Sequence, residues 1–415
     1  MKNSGFLLLA LLFLFSACHP WDHPADDDTQ LTRTVLVYMV AENSLSYGNF
    51  HEQDLNELLT ASGEIPSKCH LLVYVDDTDT PRLYLVENGS TSSKPRLLKQ
   101  WTEDMNSCAT ETLRQMMEIM TTLLPSKSYG LVFWSHGNAW LPSSRTAANN
   151  RKAPAPLSAP RSEPQRTIGI DNGGNSFSNT GSKMEISELA EVLSDFPKLS
   201  FLMFDACFMQ TIEVAYELRN VTSYMVGSPA EIPGPGAPYD KVISALCKGD
   251  AKGIVEGYDS GYPGTYNYYY YPGVLLSCID CSQLESLAEA TGQFLTPFYM
   301  ERTEPPSQDY QFYCNVSYEK FTYCFDMRTT MHCLLSEEDY AAWMEAFDKA
   351  VPLRTLSSTN RWFAVHCNYT VVKDPDNYGG VSMFVPMEKY NACGWNEDFK
   401  KISWYEATGW QATGW

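Results

Sequence analysis

Cys207 and His136 are the two side chains whose chemistry and setting could together cleave a covalent bond. A thiolate attacks carbonyl carbon, and an imidazole within reach can take the thiol proton and later return it to a leaving group. Each residue closes an unbroken apolar run. Residues 201–204 (FLMF) read as a buried strand that ends in Asp205, Ala206 and Cys207. Beyond it Met209, Ile212, Val214, Ala215 and Leu218 recur at helical spacing, so Cys207 is expected where a strand passes into a helix. The positive end of that helix would favour the thiolate. Residues 131–134 (LVFW) form the second run, followed by Ser135, His136 and Gly137. Parallel neighbours in one sheet, each with its reactive residue at the carboxyl end, set base and nucleophile side by side. Gly137 leaves room for a substrate backbone, and its N–H with that of Cys207 suits a developing oxyanion. Ser135 fails as a rival nucleophile for His136, because adjacent strand residues point to opposite faces. A lone cysteine is more often core and a lone histidine more often structural; the pairing is what argues for chemistry.

Other elements must carry these two strands. Residues 34–40 and 70–75 read as further buried strands, and residues 223–227 as another. Helices are expected over residues 49–61, 110–124 and 184–196, alternating with the strands as in an α/β parallel sheet. Residues 82–87 and 96–101 look like a flanking hairpin. Later, residues 274–280 and 381–385 read as strands and residues 282–299 and 336–350 as helices. The aromatic stretch at residues 262–271 is either a packed edge strand or the floor of a cleft. Asn43 falls at the carboxyl end of the first strand, near the expected site.

WSHG at residues 134–137 and FDAC at residues 204–207, in that order and strand setting, resemble the clostripain family of cysteine peptidases. VLVYMVAENSL at residues 35–45, EVAYELRN at residues 213–220 and SPAEIPGPGAPY at residues 228–239 extend the resemblance. It implies a caspase-like α/β fold, as in caspases, gingipains and legumain: a mostly parallel sheet flanked by helices, with a smaller C-terminal region. The catalytic domain would span residues 34–262, and residues 263–415 would pack on the sheet. The activity implied is endopeptidase cleavage after Arg or Lys through a Cys207–His136 dyad and a thioester, with legumain-like cleavage after Asn left open. By the same resemblance Asp205 lines the pocket for the residue before the scissile bond; alternatively it caps the following helix. Glu231 is a second acid for that pocket or a surface charge. Asn43 either orients His136 or is a turn residue. Some relatives need calcium; the residues show no EF-hand loop, and no cofactor or metal is otherwise expected.

Residues 141–166 hold five prolines and five basic residues against a single acid, Glu163, and are expected to form a mobile surface loop. The resemblance makes it a self-cleavage region, after Arg151 or Lys152 ahead of Arg145, Arg161 and Arg166; otherwise it is a plain insertion. At the other end, residues 1–17 read as a signal peptide, and the run into Cys18 resembles a lipobox. Cys18 would then carry lipid, residues 18–33 would be a tether, and the protein would be anchored in a bacterial envelope. An ordinary signal peptide with a stray cysteine is the other reading. Ten further cysteines allow disulfides but dictate no pairing, and Cys278-x-x-Cys281 is a weak zinc signal without a second pair. A net charge of −20 argues against nucleic acid and for basic peptides as substrates of a monomer. The rival from another class is a non-catalytic surface lipoprotein that binds peptide or glycan on the same scaffold.

Overall fold

The computed structural model describes residues 31–90, 92, 94–140, 167–174, 179–266, 268–299, 310–313, 323–364, 368–392, 394–413 and 415. Cys18, Arg151, Lys152 and the remainder of residues 141–166 lie outside them, so the lipidation and self-cleavage expectations concern undescribed residues.

Nine strands form one sheet: β1 (Leu31–Val40), β2 (Cys69–Asp76), β3 (Arg82–Val86), β4 (Arg96–Gln100), β5 (Ser126–Trp134), β6 (Phe201–Asp205), β7 (Tyr224–Gly227), β8 (Leu276–Asp280) and β9 (Leu353–Thr355). Their order is β9-β8-β7-β6-β5-β1-β2-β3-β4. The five central strands run parallel, and antiparallel strands extend both edges.

Helices cover both faces. On one side lie α1 (Phe50–Thr60), α5 (Tyr239–Lys248) and α6 (Ala251–Ser260); on the other lie α2 (Thr110–Leu123), α3 (Ile186–Ser194), α4 (Ile212–Leu218), α7 (Leu284–Tyr299) and α8 (Glu337–Ala350). The central strands are largely apolar because each face is buried, and successive residues divide between the two cores. Val35, Val37 and Met39 pack toward α1 and α5, whereas Leu36, Tyr38 and Val40 pack toward α2 and α3.

The sheet does not stop where the C-terminal region was expected to begin. Residues 276–280 and 353–355 continue it beyond β7, and residues 31–415 form one contact unit. Three local expectations change. The helix expected from residue 184 begins at Ile186, because Ser182–Glu185 pairs as a strand with Thr167–Asp171; Glu185 and Glu188 form a capping box at the junction. The late strand shortens to Ser382–Met383. The aromatic stretch is a hairpin, Gly264–Tyr266 with Tyr269–Tyr271, whose tip exposes Tyr268, Tyr269 and Tyr270. Among the described residues no helix is long and apolar enough to cross a membrane.

Candidate active site

Between β1 and β5 the chain order of the sheet reverses direction, and ligands of open α/β sheets bind outside the carboxyl ends at such a switch. Trp134 and Asp205 are register partners at the ends of β5 and β6, so the loops carrying His136 and Cys207 leave the sheet together. Ser135 N–H donates to the Asp205 carbonyl at 3.4 Å. A Cβ on Gly137 would stand 2.5 Å from the Cys207 carbonyl oxygen and 2.8 Å from Met209 Sδ. The glycine is therefore required by contact between the two loops.

The cysteine loop is not the start of a helix. Phe208 takes φ 63°, a left-handed conformation that costs a bulky residue on the order of 1 kcal/mol. α4 starts at Ile212, with Thr211 Oγ1 accepting from Val214 N–H as its cap. This overturns two expectations. Asp205 does not cap the helix, and Cys207 lies outside the first turn, where the dipole has faded. The thiol instead meets the 228–239 loop: Ile232 N–H points at Sγ at 3.4 Å, and Sγ lies 3.9 Å from the Ile232 carbonyl. Burial pushes the Cys207 thiol up to about 12, and the charges of Glu231 and Asp205 add to the rise. Phe208 N–H to Ala230 O at 2.9 Å and Gln210 N–H to Ser228 O at 3.0 Å fasten the two loops.

His136 is half-buried, and its Nε2 lies 3.0 Å from Ser44 Oγ. Burial, with the Lys183 ammonium nearby, pushes the imidazole down to about 4. At neutral pH the pair is a thiol and a neutral imidazole. Ser44, which follows β1, was not singled out from the sequence; its only signal is its place next to Asn43 at that strand end. Asn43 acts on the turn: its amide donates to Val40 O and Ile170 O, each at 2.8 Å, and reaches Ser135 Oγ at 3.4 Å. Its Oδ1 accepts from Leu45 N–H at 3.0 Å. Ser135 is buried and donates to Val40 O at 2.8 Å, which commits it to the scaffold.

Asp205 points into the layer of α1, α5 and α6 and is only 2% exposed. Its carboxyl accepts from Ala237 N–H (3.1 and 3.0 Å), Tyr239 O–H (3.1 Å) and Tyr258 O–H (3.1 Å). Hydrogen-bond donors rather than cations hold it, and burial pushes it up to about 6. Glu57 lies behind the same loop, raised to about 7 by burial, and accepts from Tyr239 N–H at 2.8 Å. Asp54, raised by burial and by Asp205 and Glu57, accepts from Trp134 Nε1–H at 2.7 Å. Three carboxyls thus stand behind the 233–239 wall, Asp205 foremost, while Glu231 lies close enough to act on the thiol.

Comparison with known proteins gives a consistent result. Residues 37–415 match the clostripain family, peptidase family C11. Clostripain of Hathewaya histolytica is 22% identical over 241 residues, covering 52% of this chain but only 42% of that relative's length. A secreted C11 cysteine protease from Bacteroides thetaiotaomicron, solved with an irreversible peptide inhibitor, is 29% identical with a TM-score of 0.72, over 92% of this chain and 99% of that one. An inactive zymogen C11 protease from Parabacteroides distasonis is 25% identical with a TM-score of 0.73, at the same coverage.

Proposed function

Because the chain belongs to the clostripain family, we propose that it is a cysteine endopeptidase cleaving after Arg or Lys, with Cys207 as nucleophile and His136 as general base. The observation that carries this reading is the packing of the two strand-end loops, Gly137 against the Cys207 carbonyl, at the switch point of the sheet. In the reaction His136 takes the thiol proton, and Cys207 Sγ bonds to the scissile carbonyl carbon. The oxyanion accepts hydrogen bonds from the Gly137 and Cys207 N–H groups, each worth roughly 3 kcal/mol in comparable sites. The C–N bond breaks as His136 gives its proton to the leaving amine, and water then hydrolyses the thioester.

Specificity is read from charge. A basic side chain entering beside the 228–239 loop meets Glu231 first and Asp205 deeper, a setting that suits a guanidinium fork or an ammonium. Reaching Asp205 requires the 233–239 wall to yield, since Ala237 and two tyrosines occupy the carboxyl. The form described reads as latent, with its thiol under Ile232 and its imidazole on Ser44. Self-cleavage after Arg151 or Lys152 is the proposed release. An N-terminal signal and a lipid on Cys18 would place the enzyme in the bacterial envelope.

The test is hydrolysis of fluorogenic peptides ending in Arg, Lys, Asn or Asp by wild type and Cys207→Ala, with the same samples run on a denaturing gel. Turnover of Arg or Lys peptides that drops on the order of 10⁴-fold or more in Cys207→Ala is expected, with wild type split near residue 152 and the variant intact. Equal turnover by the variant, or preference for Asn, would remove the nucleophile or the specificity respectively. Inertness of wild type even after trypsin nicking would return the protein to the class of binders.

A further inference from the structure

We propose that Cys69 and Cys247 are a disulfide-forming pair that ties the start of β2 to the last turn of α5. Cys69 opens β2, and Cys247 lies one residue before the end of α5, a helix that packs on that strand. Both side chains belong to the core on the α1, α5 and α6 side of the sheet, at 6% and 4% exposure. Each is a free thiol, and the two stand within hydrogen-bonding reach of one another. A disulfide forms only where the fold brings two sulfurs together, and these two, far apart in sequence, meet because α5 is laid along β2. Their chain neighbours Lys68 and Lys248 are exposed, so the pair lies just beneath the surface.

A third side chain shapes the chemistry. Arg33 is the register partner of Cys69 on β1, and its guanidinium reaches the end of α5, where a Cβ on Gly249 would stand 1.6 Å from Nη1. Its Nε–H donates to Ser128 Oγ at 2.9 Å, whereas Nη1 is buried without a hydrogen-bond partner. A cationic donor left unsatisfied beside two thiols favours the thiolate, the form that attacks a disulfide. The hydrogen bond to Cys69, then burial, push the Cys247 thiol up, with Arg33 opposing the rise. Cys247 is thereby kept as the thiol while Cys69 attacks. The oxidant is a small-molecule or protein disulfide: Cys69 Sγ bonds to one of its sulfurs and expels the other as a thiolate. Cys247 then gives up its proton, its sulfur bonds to Cys69 Sγ, and the second oxidant sulfur leaves as a thiolate. Two protein thiols are oxidised, and one disulfide is reduced to two thiols that take up the two protons. Such an oxidant is at hand in the envelope location proposed above, on which the cellular state rests, whereas the pairing itself stands on the packing. The link would fix α5 at the end opposite Tyr239, whose hydroxyl holds Asp205.

The test uses the full chain carrying Cys207→Ala, so that neither self-cleavage nor the nucleophile alters the sample. It is equilibrated with oxidised and reduced glutathione, trapped with N-ethylmaleimide under denaturing conditions and digested without reductant. Mass spectrometry is expected to find a peptide pair joined through Cys69 and Cys247 that dithiothreitol separates. Oxidation should raise the thermal midpoint by about 5 °C over the reduced chain, because the link closes a long loop. The rise should vanish in Cys69→Ala and in Cys247→Ala. Should those variants fail to fold, the joined peptide decides. Absence of that peptide overturns the pair, as does finding either cysteine held instead by glutathione or by another cysteine. A midpoint rise that survives in both variants overturns the tie between β2 and α5. The oxidant is added in vitro, so failure strikes the pair and leaves the envelope location standing.

Discussion

Gly137 and Asp205 carry the sharpest consequences for single residues. Gly137→Ala would drive a Cβ into a backbone carbonyl, which cannot move aside as a flexible side chain can. The expected outcome is a loss of about 1–3 kcal/mol in denaturant unfolding, with turnover reduced further because the His136 and Cys207 loops separate. Asp205 has its carboxyl raised to about 6 from an ordinary 3.8. If its anion recognises the basic side chain, kcat/KM for Lys and Arg peptides should fall as pH drops through about 6. That acidic limb should vanish in Asp205→Asn, and a limb that survives there would assign it elsewhere. The stability linkage has the opposite sign. Between 3.8 and about 6 the folded carboxyl keeps a proton that the unfolded one has lost, so its contribution to stability declines as pH rises through that window.

At the scale of elements, the 206–211 loop and the 228–239 loop behave as a pair. Backbone bonds from Phe208 to Ala230 and from Gln210 to Ser228 bring Ile232 over the thiol, and the acids of the second loop and strand end oppose the thiolate. In an uncleaved variant, Arg151→Ala with Lys152→Ala, alkylation of Cys207 by iodoacetamide should therefore be slow at pH 8. Its rate should rise about tenfold per pH unit toward pH 10, following the thiolate. Peptide-level mass spectrometry separates this signal from the exposed Cys333. A pH-independent, fast reaction would mean that the loop does not hold the thiol down.

Residues 31–415 form one contact unit with helices on both faces of the sheet. Residues 263–415 supply β8 and β9 and also brace the cysteine loop, since Ser382 N–H donates to Gln210 O at 3.0 Å and Gln210 Nε2–H to Ser277 O at 3.0 Å. A chain ending at residue 262 would bare the edge of β7 and one face of the core packed by α7 and α8. Such a truncation is expected to be insoluble or unfolded by circular dichroism. A soluble, folded fragment would show that the C-terminal region is a separable layer.

The apolar runs at residues 34–40, 131–134 and 201–204 could be read as central parallel strands because burial on both faces removes the polar alternation that would otherwise mark them. For the same reason the places of His136 and Cys207 just beyond two strand ends were legible: each follows such a run. The strand at Ser182–Glu185, the short β9 and the loop that delays α4 were not legible, since each is held by chain elsewhere in the sequence: Thr167–Asp171, β8, and Ser228 with Ala230. Residue types alone could not reveal that Ser44, rather than Asn43, meets the imidazole, or that Asp205 lies under a wall of tyrosines. Nor could they reveal that Gly137 is reserved for a carbonyl. Local pattern is set by which faces are buried, whereas protonation and contact are set by what long-range packing brings within a few ångströms.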